Sequence, residues 1–426
     1  MTTTDIQHSP ASAAFARIAG VDPDEIDATE GRNGLRHIAS LSLSKVADGL
    51  IDPKLVLSWL LNALGAPGAY AGALVPIREA GALLPQVLLA DWIETLAHRK
   101  WVWAAGSALQ GIAALAIAAA GWLLEGAAAG LAICLALAVL ACARAACSVS
   151  YKDVQGRTIA KTRRGAVTGL AGSAASAGVV IFALLLISGL LQERGPVLIA
   201  IALAGVFWLG AALVFAGLDE PEAERGAGEG LALWAALRDD ADLRRFILVR
   251  GLLVSTSLAP PWIVMLSGQD QEGALLGQLG AMLLASAAAS FLSSYVWGRL
   301  SDYSSRLTLA LSGAAAAVAL AVGLALDWAG MIGAVWAGPA VLFGLMIAYH
   351  GVRQARSTYL VDMAPEDSRT AYAAAANTVI GVLLLLAGAL GGALSIVGPE
   401  AALAGYAVMA LAGGALAMTL REVEQM

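Results

Sequence analysis

Long apolar stretches fill most of this chain. Of its 426 residues, 59% are hydrophobic and 14% are charged, and the mean hydropathy is +0.75. A helix needs roughly 20 apolar residues to cross a hydrocarbon core of ~30 Å. A soluble globule of this size would need more polar surface than the chain contains. The sequence therefore predicts an all-α integral membrane protein.

The apolar runs predict about twelve transmembrane helices in two groups of six. The predicted helices cover residues 44–65, 71–96, 101–123, 127–150, 166–191 and 196–217 in the first half, and 244–267, 273–297, 307–326, 330–351, 371–395 and 399–420 in the second. The chain is accordingly divided into an N-terminal segment with a short surface helix (1–43), a first bundle (44–217), a linker (218–243), a second bundle (244–420) and a tail (421–426).

The distribution of Lys and Arg predicts the orientation, because positively charged residues are retained on the cytoplasmic side. If the N-terminus is cytoplasmic, the loops on that side hold nearly all of these residues, and the opposite loops hold only Arg194. The acidic N-terminal segment lacks the apolar core and cleavage site of a signal peptide. We therefore predict a multi-pass protein of the bacterial inner membrane with both termini in the cytoplasm.

The two halves repeat a pattern of polar residues. Two triplets with the same internal spacing lie 209 residues apart, near the ends of the fourth and tenth helices: Arg144, Ser148, Asp153 and Arg353, Ser357, Asp362. Asp91 and Asp302, at the ends of the second and eighth helices, lie 211 residues apart. Internal duplication of this kind is typical of secondary transporters, whose substrate site lies between the repeats.

One loop connects this repeat to a known family. Residues 298–306 read GRLSDYSSR, which resembles the signature loop of the major facilitator superfamily, where a Gly and an Asp precede basic residues. The counterpart at residues 90–100 keeps Asp91 and the basic end but lacks the Gly. Residues 74–81, LVPIREAG, are also similar to uncharacterised bacterial permeases of this superfamily. The resemblance implies a transporter with two pseudo-symmetric six-helix halves.

The resemblance also implies a cytoplasmic gate. Its candidate residues are Asp91, Arg144, Asp153, Asp302, Arg306, Arg353, Asp362 and Arg369. Asp302, Arg306 and Asp362 would form an ion-paired latch. Asp302 would also approach the fifth helix near residue 165, and Asp91 the eleventh near residue 371, since a helix N-terminus favours negative charge. The alternative is that these are solvated loop charges.

Charges inside the predicted helices are candidates for coupling and substrate binding, because each costs ~2.5–3.5 kcal/mol at a helix centre. Asp48 and Asp52 are one turn apart. Two such carboxylates compete for charge, so one could carry a proton. Asp48 could instead lie in the headgroup region and pair with Lys45.

The second predicted helix carries Arg78 and Glu79, and Gln86 shares a face with Glu79, which suggests a cavity lining. Glu79 is either a coupling carboxylate or a member of a structural ion pair with Lys54 or with another helix. Arg78 either contacts an anionic substrate or forms a structural pair. In the seventh helix, Pro260 and Pro261 remove backbone hydrogen bonds and form either a gate hinge or a fixed kink.

The function predicted from these features is proton-coupled secondary transport of a small organic solute by a monomer. An arginine in the cavity favours an anionic solute, and the apolar helices would also suit an amphipathic one. We expect no cofactor, metal or nucleic acid, since the sequence has no nucleotide-binding loop and its three cysteines lack metal-ligand spacing. The alternatives are an uncoupled facilitator, or a non-transporting sensor or assembly factor. An intramembrane enzyme has little support.

Overall fold

The computed structural model describes residues 9–188, 194–222, 237–238, 240–268, 275–364 and 369–423, without the side chains of residues 87, 91, 275–277 and 369–371. All secondary structure in these residues is helical. Twelve helical units, called spans, follow one another: Ala28–Leu50 with Val56–Ala63, Gly68–Leu83 with Gln86–Glu94, Lys100–Leu123, Gly126–Thr158, Arg164–Ile187, Arg194–Ala216, Ala241–Ser267, Leu275–Tyr303, Ser305–Trp328, Ala337–Met363, Arg369–Leu394 and Pro399–Ala417.

Hydropathy supports most of these spans as membrane crossings. Among the described residues, nine helices are long and apolar enough to cross a membrane, and the bent second span makes ten. The first and tenth spans are not among these ten, and both carry polar and charged residues, such as Asp48 and Arg353. Both of these spans line the interior of the molecule, where a charge can face water or a counter-ion instead of lipid.

The first span begins at Ala28, well before the predicted start near residue 44. Asp27 caps it, because its carboxylate accepts hydrogen bonds from the backbone N–H groups of Thr29 and Glu30, both at 2.7 Å. Its polar residues pack inside the first half, where buried His37 shares a 2.8 Å hydrogen bond with Thr158. The predicted N-terminal segment therefore contains the beginning of the first span, preceded by a short helix, Pro10–Ala19.

The same helix pairs recur in both halves. The third span packs on the fourth and sixth, and the ninth packs correspondingly on the tenth and twelfth. The second span packs on the fourth as the eighth does on the tenth, and the first packs on the fifth and sixth as the seventh does on the eleventh and twelfth. These matched pairings confirm the predicted architecture of two pseudo-symmetric six-helix halves.

The halves meet closely at one side of the molecule. Contacts between them join the second span to the eleventh, the fifth to the eighth and the first to the seventh. A Cβ atom added to Gly72 would lie 2.4 Å from the ring of Trp262, and one added to Gly280 would lie 2.8 Å from the carbonyl oxygen of Ala183. We call this side the closed face.

The halves separate toward the other side, which we call the terminal face because both ends of the described chain lie there. The N-terminal helix packs on the start of the fifth span, and Arg306 donates a hydrogen bond to the carbonyl of Leu420. Near this face, a Cβ atom added to Gly165, Gly169 or Gly298 would meet nothing within 4 Å. The fifth and eighth spans therefore diverge there, and the space between the halves opens toward the terminal face.

Candidate functional site

A cleft of about 1340 Å³ lies between the halves, bounded by the first, fifth, eighth and tenth spans. Its polar lining includes Asp52, Lys54, Ser176, Tyr349, His350 and Arg353. Ligand sites in proteins usually have volumes of ~300–1,000 Å³. The cleft is therefore large enough for a small organic solute together with water.

Asp48 is held between two arginines within the first half. Its Oδ1 accepts a hydrogen bond from Arg78 Nη2 at 2.8 Å, and its Oδ2 accepts one from Arg144 Nη1. The side chains of Asp48, Arg78 and Arg144 are 20%, 14% and 34% exposed, so water reaches this triad only partly. Lys45 instead donates to the carbonyl of Thr168, and Arg144 joins this interior triad rather than the terminal face.

Asp52 lies at a break in the first span. Its Oδ1 accepts hydrogen bonds from the backbone N–H groups of Lys54 and Leu55, at 2.8 and 3.1 Å, in the turn that precedes the helix Val56–Ala63. Pro53 lacks an N–H group and contributes to the break. The Asp52 carboxylate thus stabilises this turn at the edge of the cleft.

Lys54 joins the two halves. It is only 9% exposed, and its ammonium group lies 3.8 Å from the centre of the Tyr349 ring in the tenth span. A cation over an aromatic face is attracted by the negative charge density of the ring, by ~2 kcal/mol or more when water is excluded. This contact places the positive charge of Lys54, which belongs to the first half, against the second half in the lining of the cleft.

Glu79 faces a small chamber beside the cleft. The chamber has a volume of about 50 Å³, and Arg250, Tyr349, Arg353 and Arg356 of the second half also line it. The charged neighbours that act most strongly on Glu79 are Lys54, Arg78, Arg356 and Arg353. Gln86 donates to the carbonyl of Ala82 at 2.7 Å and is not among the residues that line the chamber or the cleft, so its role in the cavity stays a prediction.

Arg250 and Arg356 were not among the residues selected from the sequence. Arg250 lies within the apolar run predicted as the seventh helix, in the sequence LVRGLLV, and is only 6% exposed. A charge within a membrane span is a functional candidate by default, so its position alone could have identified it. Arg356 gave a weaker signal because it lies near the predicted end of the tenth helix.

The predicted gate residues are distributed between several contacts. Asp153 pairs with Arg99 at 2.7 Å and with Arg157 at 2.8 Å, and Arg306 pairs with Glu422 of the tail at 2.8 Å. Asp302 is exposed at the terminal face, and Asp362 is exposed near the end of the tenth span. The side chains of Asp91 and Arg369 lie outside the described residues. The latch between the halves stays a prediction for a state in which the terminal face is closed.

Pro260 and Pro261 begin the last of three helical pieces in the seventh span: Ala241–Leu253, Ser255–Leu258 and Pro260–Ser267. Both prolines are buried. The last piece places Trp262 against Gly72 of the second span, so this segment forms part of the closed face. Whether it moves as a hinge stays a prediction.

Three solved structures share the fold of this chain across almost their whole length. A nucleoside transporter, NupG, aligns with a TM-score of 0.66 at 15% identity over 91% of this chain and 98% of that one. The fold is that of the major facilitator superfamily. A bacterial homologue of the iron transporter ferroportin, in an inward-facing state, gives 0.66 at 15% identity over 92% and 98%. A POT family transporter in complex with a thioalcohol-conjugated peptide gives 0.66 at 11% identity over 91% and 96%.

No protein-family model and no curated protein sequence matches the chain. The likeness is therefore one of fold. Within the major facilitator fold of this chain, the Asp48 triad lies in one half, the arginines of the chamber lie in the other, and Lys54 and Glu79 lie where the halves meet.

Proposed function

We propose that this protein is a secondary transporter of the major facilitator superfamily that moves a small organic solute by alternating access. The observation that supports this most directly is the large cleft between the halves, open at the terminal face, closed at the other and lined by charged side chains. A sensor or assembly factor on the same scaffold would have no need of so large a cleft with Asp52, Lys54 and Arg353 in its lining. The similar solved structures are described as a nucleoside transporter, a homologue of an iron transporter and a POT family transporter bound to a conjugated peptide.

We propose that the terminal face lies in the cytoplasm of a bacterial cell, because the loops on that side carry nearly all of the Lys and Arg residues outside the spans. In that orientation the structure corresponds to an inward-open state. The next step of the cycle would close the terminal face and open the other, by rocking one half against the other about the spans that join them.

Proton coupling is proposed for Asp48 and Glu79. Protonation of Asp48 would remove the negative charge that holds Arg78 and Arg144, and so would free two guanidinium groups inside the first half. Glu79 stands between cations of both halves, where a change in its charge would alter their attraction across the cleft. Asp52 is a weaker candidate than the spacing suggests, because backbone N–H groups already occupy one of its oxygens.

Solute-dependent proton flux in proteoliposomes tests this function. A panel of organic acids, neutral solutes and amphipathic cations is added, and internal pH and labelled solute are followed together. We expect one solute class to move with protons, Glu79→Gln to abolish the proton movement, and Asp52→Asn to retain it. Solute exchange without protons in all variants would indicate a facilitator. Silence across the panel from protein that melts cooperatively would favour the sensor or assembly factor.

The predicted latch can be tested by cross-linking the terminal face. Cysteines are placed at Gly165 and Asp302 in a Cys142→Ser background, because Cys134 and Cys147 are buried while Cys142 is exposed. We expect a short thiol cross-linker to join positions 165 and 302 only while the cytoplasmic side is closed, and to stop transport.

The control pair for this cross-link combines position 302 with a cysteine at Gly195, at the other end of the molecule, which should never react. Equal cross-linking of positions 165 and 302 with and without transported solute would contradict the latch.

A further inference from the structure

The small chamber beside the cleft has an excess of positive charge. Arg250, Arg353 and Arg356 line it, and Glu79 supplies the single carboxylate among its lining residues. Lys54 and Arg78, which is paired with Asp48, also lie close to Glu79, so the Glu79 charge is not available to the three arginines alone. The described residues therefore leave the guanidinium groups of the chamber largely uncompensated.

Arg250 is the most buried of these cations. It is 6% exposed, its Nε has no hydrogen-bond partner, and it forms no ion pair within 4.0 Å in the part of the chain that the structure describes. Glu79 acts on it only at longer range, and Arg356 repels it. Buried arginines are normally paired, because an unpaired charge is costly to remove from water. An unpaired one facing a cavity is a position where a bound anion would serve as its partner.

The size of the chamber indicates which part of a ligand it accepts. A cavity holds one water molecule in roughly 10–15 Å³ of such space, so about 50 Å³ accommodates a few water molecules or one small oxyanion group. Tyr349 and Arg353 line both the chamber and the cleft. A molecule lying in the cleft could therefore place one end in the chamber.

We propose that the transported solute is an organic anion whose carboxylate or phosphate group binds in this chamber, against Arg250 and Arg356, while its organic body lies in the cleft. Guanidinium groups suit both kinds of oxyanion, because their N–H groups form pairs of parallel hydrogen bonds with them. This inference rests on the proposed transport function for its physiological meaning, but the binding itself can be tested separately.

The test measures the melting midpoint of the purified full-length protein in detergent, through its tryptophan fluorescence. The probes are succinate, benzoate, glycerol 3-phosphate and inorganic phosphate, with choline and glucose as cationic and neutral comparisons. We expect at least one organic anion to raise the midpoint by several degrees in the wild type. Arg250→Gln and Arg356→Gln should lose that shift, and Arg194→Gln, at an exposed surface pair with Glu125, should retain it.

The variants also give a result that needs no ligand. If the natural partner of Arg250 is a solute, Arg250→Met should melt at a higher temperature than the wild type in the absence of anions, because it removes an unpaired buried charge. A lower midpoint in Arg250→Met would show that Arg250 has a structural partner and would overturn the proposal. A shift caused by choline or glucose alone, an anion shift that persists in Arg250→Gln, or no shift with any probe would also overturn it.

The two proposals fail in distinguishable ways. Arginine-dependent anion binding without any flux in proteoliposomes would retain the chamber as an anion site and refute transport. Flux of cations or neutral solutes, unaffected by Arg250→Gln, would retain transport and refute the anion site. A shift with succinate or benzoate indicates a carboxylate ligand, and one restricted to glycerol 3-phosphate and inorganic phosphate indicates a phosphate ligand.

Discussion

Asp48→Asn is expected to abolish proton-coupled flux and to lower the stability of the protein. The substitution removes the carboxylate between Arg78 and Arg144 and leaves two partly buried guanidinium groups facing each other. Removing one partner of a buried ion pair costs ~3–5 kcal/mol. We expect a loss near the lower end of that range, because Arg144 is one-third exposed. Thermal melting and pH-gradient-driven flux in proteoliposomes measure the two effects.

Asp219→Asn is the matched control for Asp48→Asn. Asp219 also contacts two arginines, Arg32 at 3.6 Å and Arg36 at 3.3 Å, but its side chain is 52% exposed. Exposed ion pairs contribute ~0–1 kcal/mol, so the control should melt and transport almost as the wild type does. If the Asp48 variant matches the control in both measurements, the triad has neither of the roles proposed for it.

Gly72→Leu is expected to favour the opposite state of the transport cycle, in which the halves separate at the side that is closed in this structure. The first atom of the new side chain would lie 2.4 Å from the ring of Trp262, which is fully buried, so the second and seventh spans must separate there. Overpacking of this kind costs ~1–3 kcal/mol. Since 1.4 kcal/mol corresponds to roughly a tenfold change in an equilibrium constant, the populations of the two states should change by roughly 5- to 150-fold.

The shift can be measured by labelling a cysteine placed at Ser257, which lines the chamber, in the Cys142→Ser background. A membrane-impermeant thiol reagent applied from the closed face should react faster in the Gly72→Leu protein. Gly169→Leu is the control, because a Cβ atom there meets nothing within 4 Å. Equal labelling rates in the Gly72 and Gly169 variants would show that the contact with Trp262 does not hold the closed face together.

Hydropathy and the internal repeat were enough to predict the fold, because membrane spans and a duplicated pattern of charges are local properties of the sequence. They were not enough to place the start of the first span. That span carries His37, Ser40 and Ser44, all buried against other helices, where Ser44 accepts a hydrogen bond from Trp208 at 3.1 Å. A hydropathy average scores such residues as unfavourable in a membrane, because it takes no account of their packing against other helices. It therefore underestimates the length of the helix.

The candidate site was predictable only in part. Asp48 and Arg78 were selected because charges are costly inside a membrane, but helical spacing offered Asp48 only the nearby Lys45 as a partner. Its actual partners are Arg78, 30 residues away, and Arg144, 96 residues away. Contacts at such separations depend on how the helices pack, which a single sequence does not show. The pairing of Arg306 with Glu422 of the tail is unpredictable for the same reason.

The N-terminal helix Pro10–Ala19 has a consequence for biosynthesis. Phe15, Ala16 and Ile26 pack in one cluster with Ile159 and Val167, and Glu30 pairs with Arg163 at 2.8 Å. The ribosome makes the first members of this cluster early and the last ones only after four spans. The amino-terminal helix therefore cannot complete this packing until the start of the fifth span has been made. Its docking marks the moment when the first half is nearly assembled, and a bulky fusion placed close to residue 10 would interfere with that step.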